Sequence, residues 1–367
     1  MRELTFLRPG KLEWREVPEP RLEGPKQALV RPLAVARCDL DRAVLRGEAP
    51  FRGKLLHALR NHLPEAIGQR RLFRNAPFKG PYAFGHEFVA EVLEVGDQVT
   101  QVRPGLRVAV SFQICCGSCE FCSKGLTANC RGVPPRSMYG FGDLGGHQWG
   151  GALSDVVRVP FADFMVVPVP DGVDPASIAS LPDNIVDAWR TVGPGLREVP
   201  GGSVLVVGGA AHSIGLYTVA IAKQLGASAV VYVDEDAARR QLAKTLGATE
   251  ARPAHERVKP EFDITVEASA SERGLSAAVR STRPGGVCTS VGIYYSPTVA
   301  MPLIAMYGIG VRFLHGRVHS RMAMPEVLPL ITSGRLQPER VTSRLARWGD
   351  AAEALLDAGP KVVVERA

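Results

Sequence analysis

From about residue 200 onward, short apolar runs alternate with helix-like runs, and this pattern constrains the fold more than any other feature. The run SVLVVGG predicts a buried strand, and SIGLYTVAIAKQLGA predicts a helix that ends at Gly226. AVVYVD and EDAARRQLAKTLGA repeat this pair, and later strands are predicted at FDITVEA, GGVCTSVGI and VRFLHGRV. Strands that alternate with helices predict an α/β domain with a doubly wound parallel sheet.

The first strand–helix junction carries a glycine-containing turn that is typical of dinucleotide binding. Free N–H groups at the start of such a helix bind a pyrophosphate. An acid about 20 residues further on binds the adenine ribose, and Asp234 lies near that place. The contacts predicted at this turn are Gly208, Gly209, His212, Ser213, Ile214 and Gly215. The alternative is an α/β domain that binds no nucleotide.

The residues after the second strand indicate which dinucleotide is bound. Asp234, Glu235 and Asp236 are consecutive acids that would repel a 2′-phosphate, so NAD is favoured over NADP. Arg239 follows five residues after Asp234 and is predicted to contact the ribose.

Two features bear on location. The run from 203 to 222 has no fixed charge over 20 residues, which is long enough to span a bilayer. Its Gly-Gly pair would break a helix, so a strand–turn–helix is the better interpretation. The N-terminus carries charge throughout and lacks the apolar core of a secretory signal. We therefore expect a cytoplasmic protein with no membrane segment.

A cysteine cluster in the first half predicts a structural metal site. Five of the seven cysteines lie within 115–130, which favours metal binding over disulfides in a cytosolic chain. Four thiolates satisfy a tetrahedral Zn²⁺ and leave no open position. The alternatives are an iron–sulfur cluster or redox thiols, and Cys115 is a spare thiol without a role. The predicted ligands are Cys116, Cys119, Cys122 and Cys130.

Cys38 stands beside two acids in VARCDLDRAV, and by itself it would be assigned to the core. Its context changes that interpretation. A strand-rich first third, a four-cysteine loop and a dinucleotide fold, in this order, resemble the zinc-containing medium-chain alcohol dehydrogenase superfamily. Three motifs carry the resemblance: Cys38 followed by Asp41, FGHEF with His86 and Glu87, and LPDNIVDAW with Asp183 six residues before Trp189. The last motif resembles the branch with an aspartate ligand, which includes formaldehyde-dismutase-like enzymes.

The resemblance implies a domain organisation. A GroES-like catalytic domain would occupy 1–183, with a basic insert at about 50–77 and the structural zinc loop at 115–130. A Rossmann NAD-binding domain would occupy 184–319, and 320–367 would return to the catalytic domain. Homodimers or homotetramers are the family expectation.

The resemblance also implies the chemistry. Cys38, His86 and Asp183 would hold a second, catalytic zinc with one open position, which suits a Lewis acid. Asp41 would accept the second ring N–H of His86, and Glu87 would lie next to the metal. Hydride would pass between a small-molecule alcohol and NAD, giving an aldehyde or ketone, with Val291 and Ile293 near the nicotinamide.

Some residues depart from the family pattern. Positions that carry a proton relay in many relatives hold Leu40 and Ala43, neither of which transfers protons. His147, His212 and Asp187 are candidates for that role. Two alternatives to the dehydrogenase follow: an aldehyde dismutase with tightly held NAD, or a nucleotide-sensing or nucleic-acid-binding protein without catalysis.

A basic segment separates Cys38 from His86. Residues 51–80 hold seven Lys and Arg against one acid, Glu65, so most of the chain's net charge of +7 is local. General binding to nucleic acid is therefore not expected. The segment is predicted either to be a lid favouring an anionic or bulky substrate, or to be a solvated helix or subunit contact.

Overall fold

The computed structural model describes residues 1–47, 78, 80–142, 149–254, 258, 261–294, 296 and 298–366. The predicted basic insert and His147 lie outside these residues. The described chain divides into two compact units. The first contains Met1–Asp183, His319–Leu328 and Thr342–Ala367, and the second contains Asn184–Val318 and Pro329–Val341. No helix within the described ranges is long and apolar enough to cross a membrane.

The first unit is built on strands. Its bounds are β1 (Arg2–Arg8), β2 (Lys11–Glu16), β3 (Ala28–Ala36), β4 (Tyr82–Ala83), β5 (Glu87–Val95), β6 (Arg107–Val110), β7 (Val157–Val159), β8 (Val166–Pro168), β15 (Arg344–Arg347) and β16 (Val362–Glu365). A seven-stranded sheet has the order β15-β16-β3-β5-β6-β8, with β7 also pairing β3. A smaller sheet has the order β2-β1-β4. Apolar side chains of β3, β5 and β6 fill the core, because these central strands are buried along most of their length.

Short helices join these strands. They are α1 (Asp39–Leu45), α2 (Glu120–Ser123), α3 (Ala162–Met165), α4 (Pro175–Ile178) and α11 (Ala351–Ala354). Helix α4 begins with Asp174 as its N-cap, whose carboxylate accepts a hydrogen bond from the N–H of Ala176, and with Pro175 in its first turn. A single π-helical turn, Leu181–Ile185, follows α4.

The second unit has the parallel sheet that the sequence predicted. Its strands are β9 (Val204–Val207), β10 (Val230–Val233), β11 (Glu250–Arg252), β12 (Phe262–Glu267), β13 (Thr282–Ser290) and β14 (Arg312–His315). Their order, β11-β10-β9-β12-β13-β14, is that of a dinucleotide-binding doubly wound sheet. The helices are α5 (Val186–Glu198), α6 (His212–Gln224), α7 (Ala237–Thr245), α8 (Glu272–Arg280), α9 (Leu303–Ile309) and α10 (Ser320–Thr332, shared with the first unit). The predicted fold class is confirmed.

A buried arginine ties the C-terminal segment of the first unit to strand β3. The guanidinium of Arg37 donates to the backbone oxygens of Leu355, Asp357 and Gly359, at 2.9, 2.5 and 2.5 Å. Arg37 and Leu355 are each 1% exposed, whereas Asp357 and Gly359 are half-buried. The contact fixes the chain just before Lys361, which begins the approach to β16.

We expect Arg37→Met to lower the free energy of unfolding of the first unit by about 3 kcal/mol, because three carbonyl oxygens, one of them buried, would lose a charged donor. Urea titration followed by circular dichroism measures the change. Arg42→Ala is the matched control, since half-buried Arg42 donates to the neighbouring carbonyl oxygen of Ala358 at 3.5 Å. A change below about 0.5 kcal/mol in Arg37→Met would contradict the expectation.

Candidate functional site

Four buried side chains meet at one corner of the first unit. Cys38, His86, Glu87 and Asp183 each offer one ligand atom, and these atoms all lie within 4.8 Å of one another. The register of β3 and β5 explains the meeting, because Ala36 pairs with Glu87 and so places Cys38 next to His86. Asp183 reaches the same corner from the π-helical turn, a rare conformation that is frequent at functional sites.

Cys38 is oriented by reciprocal bonds with Asp41 at the start of α1. The N–H of Asp41 donates to Sγ of Cys38 at 3.2 Å, and the N–H of Cys38 donates to Oδ2 of Asp41 at 3.1 Å. This capping box holds the thiol at the helix start instead of in the apolar core. Oδ2 of Asp41 also lies 3.5 Å from Nδ1 of His86, on the ring edge that the sequence analysis assigned to it.

The other ring nitrogen of His86 faces Asp183. Nε2 of His86 lies 3.2 Å from Oδ2 of Asp183. Ser320 Oγ donates to the carbonyl oxygen of Pro182, which fixes the backbone beside Asp183. His86 therefore stands between two carboxylates, one on each ring nitrogen.

These neighbours shift the pKa values. Burial alone would lower the pKa of His86, but the carboxylates of Asp41 and Asp183 raise it to about 9. Burial, together with the same carboxylates, raises the pKa of the Cys38 thiol well above its usual value. Without a cation, Cys38 and His86 therefore both hold protons at neutral pH.

The donor set fits a zinc ion. One thiol, one imidazole and carboxylates are ligands that Zn²⁺ accepts, and the thiol selects against Mg²⁺ and Ca²⁺. Nδ1 of His86, Oδ1 of Asp41 and Oε1 of Glu87 are buried atoms without a hydrogen-bond partner within the described chain. Buried polar atoms in that state are unusual, and a cation at this corner would compensate the carboxylates.

A buried lysine, Lys361, holds Glu87, and no sequence pattern singled it out. Oε2 of Glu87 accepts from Nζ of Lys361 at 3.1 Å and from Oγ of Ser180 at 2.5 Å. Lys361 also donates to the carbonyl oxygen of Arg37 at 2.9 Å and is 0% exposed. Burial raises the pKa of Glu87 to about 8, although Lys361 opposes this. The signal available in the sequence was a lone lysine directly before the three valines of VVVE.

The predicted structural ligands also come together. The sulfurs of Cys116, Cys119, Cys122 and Cys130 form a second group within 4.8 Å, and all seven cysteines are free thiols. Backbone N–H groups point at the sulfurs, and the N–H of Arg131, with others, lowers the pKa of Cys119 to about 5. Cys115 is buried and lies outside this group.

The glycine turn of the second unit lies between β9 and α6, as predicted. Its residues Gly208 and Gly209 pack closely, since a Cβ on Gly208 would lie 2.5 Å from Oδ2 of Asp234. Helix α6 begins at His212, and Ser213, Ile214 and Gly215 follow in its first turn. Oγ of Ser213 donates to Oδ1 of Asn184 at 2.8 Å.

Asp234 lies at the predicted place, and both of its carboxylate oxygens accept hydrogen bonds. Arg239 donates to both oxygens, Nε to Oδ2 at 2.8 Å and Nη2 to Oδ1 at 2.7 Å. The hydroxyl of Tyr232 donates to Oδ2 at 2.7 Å, and the N–H of Asp236 donates to Oδ1 at 2.8 Å. Nη1 of Arg239 lies 3.3 Å from Nε2 of His212. Tyr232 was not singled out from the sequence.

The remaining candidates differ in their surroundings. Val291 is buried at the end of β13, whereas Ile293 is 50% exposed. Asp187 is paired with Arg190, one turn further along α5, and His212 contacts Arg239. Each of these two relay candidates therefore has an arginine as a neighbour.

Two family models match the chain. The alcohol dehydrogenase GroES-like domain matches residues 24–171, and the zinc-binding dehydrogenase family matches residues 213–333. A Mycobacterium tuberculosis protein named "Probable zinc-binding alcohol dehydrogenase" is 28% identical over 96% of this chain and 84% of its own. Glutathione-independent formaldehyde dehydrogenase of Pseudomonas aeruginosa is 28% identical over 73% of this chain and 65% of its own.

A solved structure extends the match to the full length. Alcohol dehydrogenase TADH from Thermus sp. ATN1 superposes with a TM-score of 0.83 at 27% identity, covering 100% of both chains. The two matched domains, the described fold and the grouped ligands agree with one another. The chain belongs to the zinc-containing medium-chain alcohol dehydrogenase superfamily.

Proposed function

We propose that this oxidoreductase transfers a hydride between an alcohol and NAD, giving an aldehyde or ketone, with zinc at the corner formed by Cys38, His86 and Asp183. The observation that carries the proposal is the meeting of these side chains and Glu87 within 4.8 Å. Zinc bound there would supply a Lewis acid that lowers the pKa of an alcohol hydroxyl. A second zinc would be held by the four-cysteine group and would be structural.

Each of the residues at this corner has a separate role in the proposed site. With zinc bound, Cys38 and Asp183 would bring negative charge, and Asp41, whose Oδ2 lies 3.5 Å from Nδ1 of His86, would orient that ring. Lys361 and Ser180 hold Oε2 of Glu87, which keeps that carboxylate in place beside the ligands. Leu40 and Ala43 supply no proton carrier, so the alcohol proton would leave through water.

NAD is the proposed dinucleotide, because Asp234 and its acidic neighbours disfavour a 2′-phosphate. A second reaction, aldehyde oxidation or dismutation with retained NAD, is favoured by the similarity to a formaldehyde dehydrogenase. NAD that copurifies with the protein and supports turnover without added cofactor would select this second reaction. A homodimer or homotetramer stays a family expectation.

Elemental analysis tests the two-zinc proposal. We expect about two zinc ions per chain in the wild type and about one in Cys38→Ala and in Cys116→Ala. Cys38→Ala should also lose NADH formation on a panel of alcohols. Cys115→Ala is the matched control, because this buried cysteine borders the loop but lies outside the group, and it should keep both ions. One zinc per chain, unchanged in Cys38→Ala, would rule out the catalytic site.

Zinc uptake at the catalytic corner should depend on pH. In the metal-free protein the pKa of His86 is about 9 and that of Cys38 is raised, so both groups are protonated below those values. Each must release its proton to bind zinc, so affinity should increase with pH, by up to about 100-fold per unit near pH 7. Competition with a chromophoric chelator at pH 6, 7 and 8 measures the zinc affinity. The measurement uses Cys116→Ala, in which the four-cysteine group is disrupted and the catalytic corner is the remaining site. An affinity that does not change with pH would contradict the proposed ligands.

Cofactor preference should depend on the Asp234 charge. We expect Asp234→Asn to lower the ratio of kcat/KM with NAD to kcat/KM with NADP by about tenfold, since one charged hydrogen-bond acceptor is lost. Glu235→Gln is the control, because this neighbouring acid is exposed, and its ratio should change less than about threefold. An equal ratio in wild type and Asp234→Asn would exclude Asp234 as the selecting residue.

A further inference from the structure

Glu267 is a buried carboxylate at the carboxyl end of β12, and neither the sequence motifs nor the proposed chemistry uses it. It is 0% exposed. Oε1 accepts from the N–H of Ser269 at 2.7 Å, from Oγ of Ser269 at 2.6 Å and from the N–H of Ala270 at 2.8 Å. Oε2 accepts from Oγ of Ser290 at 2.7 Å. The ion pairs of the described residues do not include Glu267, so hydrogen bonds alone stabilise it.

The Oε1 bonds shape the turn after β12. Ala270 has a φ of +53°, a left-handed conformation that is uncommon for a residue with a side chain. The bond from its N–H to Glu267 helps to hold it there. The glycine turn rests on this segment, since a Cβ on Gly209 would lie 2.6 Å from Cα of Ser269. The N–H of Ala211 also donates to the carbonyl oxygen of Ala268 at 2.9 Å.

The same carboxylate supports the segment after β13. Besides the bond from Ser290, the N–H of Val291 donates to the backbone oxygen of Glu267 at 2.9 Å. A Cβ on Gly292 would lie 2.8 Å from Oε2 of Glu267 and 2.8 Å from Cα of Ala270. Glycine is therefore required where this segment crosses the carboxylate. The carboxylate thus contacts the segments after β12 and β13 directly, and the loop after β9 rests on Ala268 and Ser269 beside it.

We propose that Glu267 is a positioning residue for the dinucleotide, which sets the glycine turn and the Val291–Ile293 segment at the spacing that one cofactor molecule spans. The proposal rests on the proposed function, in which the glycine turn binds the pyrophosphate and Val291–Ile293 lies near the nicotinamide. Stability alone does not account for the residue, because taking an ionised carboxylate out of water costs free energy, and Glu267 is 0% exposed. A ligand that contacts only the glycine turn or only the Val291–Ile293 segment would not depend on the distance between them.

The experiment compares whole and half cofactor on the full-length protein. Dissociation constants for NADH and for AMP are measured by titration calorimetry on wild type, Glu267→Ala and Glu267→Gln. We expect Glu267→Ala to weaken NADH at least about tenfold and AMP less than about threefold, since AMP does not bridge the loops. Glu267→Gln should restore NADH binding to within about threefold, because its amide oxygen can accept the same three hydrogen bonds.

Asp263→Asn is the matched control. Asp263 lies at the opposite end of β12, accepts from the N–H and Oγ of Ser203 at 2.7 and 2.9 Å, and should leave both constants unchanged. If Glu267→Ala does not fold, Ser290→Ala is used instead. It removes only the bond from Oγ of Ser290 to the carboxylate, and it should weaken the binding of NADH but not that of AMP.

Two results would overturn the proposal. The first is a dissociation constant for NADH in Glu267→Ala that equals the wild-type value. The same criterion applies to Ser290→Ala where that variant replaces Glu267→Ala. The other is an equal loss of NADH and AMP, which a purely structural role would give. Failure of the proposed function is distinguishable, because wild-type protein would then bind no NADH.

Discussion

The antiparallel register between β3 and β5 is the constraint on which the catalytic corner depends. Ala36 pairs with Glu87, so the chain leaves β3 at Cys38 at the same level at which it enters β5 after His86. On the other side of β3, Val363 pairs with Ala36, which brings Lys361 to the same level. A shift of one residue in this register would move the side chain of His86, and that of Glu87, each to the face of the sheet opposite its present one. Two bulges in the β3–β5 pairing locate the register along the strand.

Buried charge is concentrated at this corner and is expensive to keep there. Lys361 neutralises Glu87, and His86 lies between Asp41 and Asp183. Desolvation makes such groups costly compared with well-packed apolar side chains. A cluster of buried ionisable groups with shifted pKa values is typical of a functional site. Arg37 and the carbonyl oxygens that it binds stabilise the frame around them.

Much of the fold and part of the site could be predicted from the sequence. The alternation of strands and helices predicted the parallel sheet, and spacing alone grouped Cys116 with the other three thiols. Cys38 and Asp183 depended on family resemblance, because neither stands in a distinctive local pattern. Lys361 was missed because its partners lie on other strands, and only the register brings them together. Glu267 was missed because a single acid that ends an apolar strand carries no motif, although most of its partners follow it directly in the chain. The π-helical turn at Asp183 has no periodicity that a sequence pattern reveals.

The bonds around Asp234 have a consequence for how a cofactor would enter. Both carboxylate oxygens already hold two hydrogen bonds each, and Arg239 supplies half of them. A ribose hydroxyl that bound to this carboxylate would have to displace or share one of these four donors. The affinity for a dinucleotide bound there would depend on the balance between the hydrogen bonds lost and those gained. Changes in Arg239 or Tyr232 would alter this balance without touching the cofactor's reactive end.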